Sequence, residues 1–226
     1  MGRGALIVMM LLAAPLAAAQ QGSVRGEVRV TAPGADGKPA AKADRSGVVV
    51  YLTGYNEPPP AGEVNMAQRN KAFQPSVVAV VAGQKVRFSN NDVVVHNVFS
   101  RSRAGKFDAG KNRPNEEHTE TFKKTGLIDV YCDIHEQMVA TVVVVPNRAF
   151  AVTGPDGRFV LKGVPPGTYP LFAVNRRDER SDVARGEVTV KPGQEVTVTL
   201  ELVESKADEG HLDKHGRKYT PRSDAY

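Results

Sequence analysis

The sequence has a single cysteine, no tryptophan and an aromatic content of only 6%. A lone cysteine cannot form an internal disulfide, so the fold must be held together by an apolar core. The formal net charge is +5, but no basic cluster is interleaved with aromatic residues, which argues against nucleic-acid binding. The positive balance is compatible with an acidic protein partner and is otherwise typical of a solvated surface.

Long apolar runs are also scarce, and the longest lies at the N-terminus. Residues 1–19 have the pattern of a signal peptide: Arg3 is the positive start, Ala5–Leu16 the apolar part and Ala17–Ala19 a small-residue cleavage site. The run is short for a membrane span, and no cysteine follows it for lipid attachment. We expect the mature protein to be soluble and periplasmic or otherwise exported; an uncleaved N-terminal anchor is the alternative.

Export to an oxidising compartment bears on the single cysteine, because an exposed free thiol there is prone to oxidation. Binding of the thiolate to a metal ion would protect it. Cys132 lies in the segment Val130–Met138, where His135 and Met138 follow at intervals of three residues. Another histidine, His96, ends an apolar run upstream. One thiolate, two imidazoles and a weak thioether are the ligands of a blue-copper electron-transfer site. The sequence therefore predicts one type 1 copper site.

Less specific interpretations of the same residues exist. A lone cysteine is usually a small buried apolar residue, and a Cys-x-x-His-x-x-Met string alone is weak evidence for a metal. The partner histidine in a strand-like context and the exported location favour copper. A structural loop or another soft metal is the alternative.

Short apolar segments separated by Gly, Pro and Asn turns run through the chain, and no stretch has convincing helical periodicity. This pattern predicts an all-β protein, with a copper domain at residues 62–147 and a small antiparallel β-sandwich at 148–203. Residues 101–118 are rich in Gly, Pro, Lys and Asn, and we expect a surface loop there. Residues 204–226 are polar and charged, which predicts a flexible tail.

Between Met66 and Pro146, a series of short motifs follows a specific order. The motifs are Val86–Asp92, His96–Val98, Phe107–Gly110, Thr121–Phe122, Gly126, Tyr131–His135 and Met138–Val143. Their order and spacing resemble a small cupredoxin of the plastocyanin and amicyanin kind, and the short Cys-to-Met spacing is most similar to amicyanin. The resemblance implies a Greek-key β-sandwich or barrel that binds copper through four ligands: His96, Cys132, His135 and Met138.

The copper loop departs from the cupredoxin pattern. Amicyanin and plastocyanin have proline before the second histidine, where this chain has Ile134. The amide of Ile134 is therefore available to the Cys132 sulfur, and such a bond would favour Cu(I) and raise the reduction potential. Asp133 is also unusual, and its charge acts in the opposite direction. We expect Asn97 either to tie the His96 strand to the copper loop or to make a plain strand-end hydrogen bond.

A second resemblance covers residues 157–169, which are similar to part of the carboxypeptidase regulatory-like module, a transthyretin-like β-sandwich. In such modules this phrase follows a Gly-x-Val strand and a Val-Val-Tyr-Leu strand. Here these occur far upstream, as Gly26–Val28 and Val48–Leu52. The resemblance implies that the cupredoxin is inserted into a sandwich made of residues 23–54 and 148–203.

The cupredoxin resemblance implies single-electron transfer between redox proteins, such as a c-type cytochrome or a dehydrogenase, and no enzyme activity. Multicopper oxidases and nitrite reductases need further histidine clusters, which this chain lacks. We expect electrons to leave through a solvent-facing edge of His135, and we interpret His211 and His215 in the tail as incidental. The alternatives are an envelope copper-handling protein and a ligand-binding or adhesion β-sandwich with a structural copper site.

Overall fold

The structure is a computed structural model, and it describes residues 20–178, 183–205 and 211–218. The predicted signal peptide, residues 1–19, lies outside the described residues. In the described part the regular elements are all β-strands, which confirms the all-β prediction. That part of the chain contains no helix with the length and apolar character needed to span a bilayer.

The strands follow one another along the chain, and turns or short irregular segments join most of them. They are β1 (Gly22–Pro33), β2 (Pro39–Ala41), β3 (Val49–Leu52), β4 (Glu63–Asn65), β5 (Ala67–Arg69), β6 (Ala72–Gln74), β7 (Val77–Val81), β8 (Lys85–Ser89), β9 (His96–Ser100), β10 (Phe107–Asn112), β11 (Glu117–Thr121), β12 (Gly126–Tyr131), β13 (Val139–Val145), β14 (Phe150–Val152), β15 (Arg158–Val164), β16 (Gly167–Val174), β17 (Gly186–Val190) and β18 (Glu195–Val203).

Strands β4 to β13 form the part of the molecule that carries the predicted ligands. One sheet has the order β10-β9-β12-β13-β7, another has the order β11-β8-β4, and β5 pairs with β6. Residues of both sheets, among them Phe88 and Val130, form one buried apolar cluster. Cys132 and Met138 belong to the same cluster, so both predicted sulfur ligands lie in the core.

The other sheets combine strands from both sides of this central part. β1 pairs with β15 and β18, while β3 pairs with β14 and β16. These strands share an apolar cluster that includes Val28, Leu52 and Leu161. The chain therefore leaves this unit after β3 and returns to it at β14. The domain limits 62–147 and 148–203 stay predictions.

One pairing differs from the antiparallel sandwich that the sequence suggests. β1 and β18 run parallel, in a register that extends from Ser23↔Glu195 to Thr31↔Val203. Antiparallel neighbours are commonly joined by a tight hairpin, whereas parallel neighbours need a long connection. Most of the chain separates β1 from β18, so no hairpin dictates their relative direction.

β13 is buried on both faces and lies between two apolar clusters. Val142 and Val144 point into the cluster that contains Cys132, whereas Val143 and Val145 pack in a third cluster with residues of β3, β7 and β16. Side chains alternate between the two faces of a strand, so an unbroken valine run is suited to this position. Each buried valine contributes roughly 1.5–3 kcal/mol of hydrophobic stabilisation.

The prediction of a surface loop at residues 101–118 is wrong in part. This segment contains all of β10 and the first residues of β11, which pair with β9 and β8. His118 also lies in this region, where it stacks on Phe107 and contacts Glu120. Pairing with neighbouring strands outweighs the polar composition of this segment, because strand propensity depends strongly on context.

The described parts of the tail also differ from the flexible tail that the sequence predicts. Glu204 is buried and accepts hydrogen bonds from Lys42 and Asn175. His211 is only 9% exposed. These polar side chains are ordered because they find charged or aromatic partners, which a composition argument does not detect. The other tail residues, 206–210 and 219–226, lie outside the described residues.

Candidate metal centre

The loop between β12 and β13 carries three of the predicted ligands. The strands pair up to Tyr131↔Val139, so both ends of the loop are held together. Inside the loop, the Cys132 amide donates to the Met138 carbonyl at 3.2 Å, and the Met138 amide donates to the His135 carbonyl at 3.0 Å. These bonds fold the loop tightly and point the cysteine side chain inwards.

His96 reaches the same place from β9, the neighbouring strand in the sheet. β9 pairs with β12 at Tyr131↔Phe99. The Nδ1 atoms of His96 and His135 lie 3.1 Å apart, and the Cys132 Sγ lies 3.9 Å from the Nδ1 of His135. All three donor atoms lie within 4.8 Å of one another. The structure thus brings together three of the four predicted ligands through their donor atoms.

Two of the three separations between these donor atoms are close to those expected around one shared metal ion. Bonds of about 2.0–2.1 Å to imidazole and 2.3 Å to thiolate, as found at zinc, would place donor atoms about 3.3–3.8 Å apart. The two measured separations lie just below and just above this range. The Nε2 atom of His135 is buried and has no hydrogen-bond partner among the described residues. That nitrogen can keep the ring proton while Nδ1 is used for a metal.

The fourth predicted ligand, Met138, is fully buried and packs in the same apolar cluster as Cys132. Its main chain makes the two hydrogen bonds that close the copper loop. The side chain is therefore confined to the interior beside the loop that holds the other two ligands. This position is compatible with the weak thioether ligand that the sequence predicts.

Burial sets the protonation state of the metal-free site. It lowers the pKa of His96, although Asp92 acts in the opposite direction. Burial and the neighbouring His96 also lower the pKa of His135. Both imidazoles are therefore neutral at pH 7, which is the form that binds metals. Burial raises the pKa of the Cys132 thiol, so metal binding at this site must release the thiol proton.

Two main-chain amides point at the cysteine sulfur. The amides of Asn97 and Ile134 each donate to the Cys132 Sγ at 3.4 Å. Both bonds oppose the effect of burial and lower the pKa of the thiol. The amide that proline would remove at position 134 is thus directed at the sulfur, as the sequence analysis suggested.

Asn97 is the second residue of β9, and its side chain contacts β10 and the copper loop. Its Oδ1 accepts a hydrogen bond from the Asp133 amide at 3.3 Å, and its Nδ2 donates to Asp108 Oδ1 at 2.8 Å and to the Gly110 carbonyl at 2.7 Å. Of the two interpretations of Asn97, the geometry supports the tie between the His96 strand and the loop.

Asp92 is a site residue that the sequence analysis does not identify. Its Oδ2 lies 3.1 Å from the Nε2 of His96 and also accepts the Lys71 amide at 2.8 Å. Burial acts against the carboxylate, but these hydrogen bonds hold the pKa of Asp92 below its usual value. A carboxylate at Nε2 keeps the ring proton there and leaves the Nδ1 lone pair facing the other ligands. The available signal was an aspartate four residues before a candidate ligand.

His135 is more buried than the sequence analysis expects. Its side chain is the more exposed of the two imidazoles, but the residue is only 8% exposed and His96 is fully buried. Only a small part of His135 therefore reaches solvent, and its Nε2 atom is buried. The tight turn at Met138 draws the loop inwards, and Met138 itself lies in the core.

Part of the chain matches a family of known proteins. Residues 61–145 match the family described as copper binding proteins, plastocyanin/azurin family. A comparison of the chain with curated proteins gives no match.

Several solved structures are similar to part of the chain. The purple cupredoxin from Nitrosopumilus maritimus is 21% identical with a TM-score of 0.34, over 36% of this chain and 99% of that protein. Amicyanin from Paracoccus versutus is 24% identical with a TM-score of 0.34, over 42% of this chain and 97% of that protein. A copper-containing nitrite reductase from Thermus scotoductus SA-01 is 25% identical with a TM-score of 0.36, over 41% of this chain and 24% of that protein.

The family match and the donor set agree. Residues 61–145 match copper-binding proteins, and they contain a buried group of one thiol and two imidazoles whose donor atoms lie within 4.8 Å of one another. A soft thiolate combined with imidazoles suits copper. The central part of this chain is thus similar to copper-binding proteins of the plastocyanin/azurin family, and its cofactor is copper.

Proposed function

We propose that this protein is an exported blue-copper protein that transfers single electrons between redox partners. The observation that carries the proposal is the convergence of the Cys132 sulfur and the two Nδ1 atoms of His96 and His135 inside an apolar β core. Copper bound there supplies a one-electron Cu(II)/Cu(I) couple. Met138 completes the proposed set of ligands from the same loop.

The scaffold suits a carrier because it holds the ligands in place. His96 lies on a central strand and is held at its far nitrogen by Asp92, while Cys132 accepts two main-chain amides. Ligands held in this way move little when the charge of the site changes. A small rearrangement between oxidation states is what rapid electron transfer requires.

Burial also favours a carrier over a copper-handling protein. Cys132 and His96 are fully buried, and His135 nearly so. A protein that delivers copper needs ligands that a partner can reach and displace, whereas a carrier needs to retain its ion. With four ligands from the chain, the proposed site also has no open position for a substrate, so we propose no enzyme activity.

Export and redox partners complete the proposal. The signal-peptide pattern of residues 1–19 and the single cysteine support a periplasmic or otherwise exported location. The partners that we propose are a donor and an acceptor of the c-type cytochrome or dehydrogenase kind. Neither partner has to enter the site, because only an electron crosses the protein surface.

Adding Cu(II) to the purified metal-free protein tests the proposed function. We expect one equivalent to produce an intense visible band from charge transfer between the Cys132 thiolate and Cu(II), together with a reversible one-electron wave in voltammetry. Cys132→Ser should abolish the band, because a hydroxyl cannot replace the thiolate. His118→Ala, which alters a histidine outside the site, should keep it. If the protein gives no such band, or if the Cys132→Ser variant keeps the band, the protein is not a blue-copper protein.

The amide of Ile134 should tune the reduction potential. Ile134→Pro removes the N–H that donates to the Cys132 sulfur, so thiolate charge becomes more available to the metal and Cu(II) is favoured. We expect a lower potential than in Ile134→Ala, which changes the side chain but keeps the amide. Equal potentials for the two variants in a redox titration would contradict this role.

Asp92 should maintain copper affinity by orienting His96. We expect Asp92→Ala to weaken copper binding by about tenfold, the low end of the effect of removing an outer hydrogen-bond partner of a ligand. Competition against a chelator measures the affinity. Asp36→Ala, in the turn between β1 and β2, removes the same charge without touching the site and should have no effect. If both variants bind copper equally well, Asp92 does not act through His96.

A further inference from the structure

The C-terminal residues 211–218 form a small folded hairpin. The Asp213 amide donates to the Arg217 carbonyl at 2.8 Å, and the Gly216 amide donates to the Asp213 carbonyl at 2.9 Å. The Asp213 carboxylate accepts the amides of His215 and Arg217. We call this segment the C-terminal hairpin. Its internal hydrogen bonds give it a defined shape although its composition is polar.

The C-terminal hairpin lies against the strands that lead into the copper site. The His211 ring stacks on Tyr131, with centroids 4.4 Å apart and planes at 23°, and Tyr131 directly precedes Cys132. His211 also contacts Phe99 of β9, at 6.1 Å between ring centroids. The contact explains why a histidine in a charged segment is buried.

Lys214 is the residue of the hairpin that contacts the carboxylates near the copper loop. Its amide donates to Asp133 Oδ1 at 3.1 Å, and its Nζ donates to Asp108 Oδ2 at 3.0 Å. Asp133 is part of the copper loop, and Asp108 belongs to β10. A single residue therefore joins two elements that lie on either side of Asn97.

The same two aspartates are also joined through Asn97. Asp108 Oδ1 accepts from the Asn97 side chain, and the Asn97 Oδ1 accepts from the Asp133 amide. The Asn97 main chain in turn donates to the Cys132 sulfur. The contacts form a closed ring through Lys214, Asp133, Asn97 and Asp108, and one member of that ring contacts the metal-binding sulfur.

The charge of one member of this ring, Asp133, affects the Cys132 thiol. The negative charge of Asp133 is one of the influences that raise the pKa of the Cys132 thiol. Although burial opposes it, hydrogen bonds from Asn97, Gly110 and Lys214 hold the pKa of Asp108 below its usual value. The Lys214 Nζ thus places a positive charge beside the Asp108 carboxylate, whereas Asp133 is held by the main-chain amide of Lys214.

We propose that Lys214 is a positioning residue for the copper site: its main-chain amide and its Nζ clamp the Cys132 loop to β10 through Asp133 and Asp108, and the Nζ offsets the charge of Asp108. The proposal rests on the proposed function, because it assigns to the C-terminal hairpin a role in setting the properties of the bound copper. Lys214 touches neither the metal nor its predicted ligands. It acts through Asp133 and Asn97.

Replacing Lys214 in the full chain tests both parts of this role. Lys214→Met removes the Nζ contact to Asp108 but keeps the main-chain amide. We expect it to lower the reduction potential, because an uncompensated Asp108 carboxylate favours Cu(II), and to weaken copper binding by about tenfold. Lys218→Met is the matched control: it removes the same charge from the same hairpin, at an exposed position without these contacts. Lys214→Arg keeps a cation at this position, so its reduction potential should be close to that of the unaltered protein.

A measurement without copper separates this role from the proposed function. In the metal-free protein, the amides of Asp133 and Asn97 should exchange with solvent faster in Lys214→Met than in Lys218→Met, because the hairpin that holds the loop has lost its ion pair with Asp108. Equal exchange in the two variants would overturn the clamp whether or not the protein binds copper. Equal potentials of the two copper-loaded variants would overturn the electrostatic part while leaving the proposed function intact.

Discussion

The placement of one thiol and two imidazoles inside an apolar core is the constraint on which the rest of the structure depends. Burial makes the charged forms of all three groups unfavourable, which raises the pKa of Cys132 and lowers those of His96 and His135. A bound cation reverses this situation, because it stabilises the thiolate and uses the neutral imidazoles as they are. Polar groups in such a core need a partner, and a shared metal ion supplies one.

The surroundings of these groups are built to hold that arrangement. The hydrogen-bonded ends of β12 and β13 close the copper loop, β9 supplies His96, and outer groups fix each ligand: Asp92 for His96 and two amides for Cys132. β13 ties this part to the second unit, since Val142 and Val144 pack in the copper-site cluster while Val143 and Val145 pack against residues of β3 and β16 in the third cluster.

Much of this arrangement could be predicted from the sequence, because it depends on local patterns. The spacing of Cys132 and His135, with His96 upstream, predicts the three residues whose donor atoms converge. Asp92, β10 and Lys214 were not found in this way. The role of each depends on residues distant in sequence: β10 is ordered by β9, and Lys214 acts across more than eighty positions on Asp133. Composition and periodicity do not contain that information.

The central claim is that Cys132, His96 and His135 hold one copper ion together. X-ray absorption at the copper edge of the copper-loaded protein tests it most directly, because the spectrum identifies the atoms bound to the metal. The account predicts one short bond to sulfur and two bonds to imidazole nitrogen. Copper surrounded only by nitrogen and oxygen, with no sulfur at bonding distance, would contradict it.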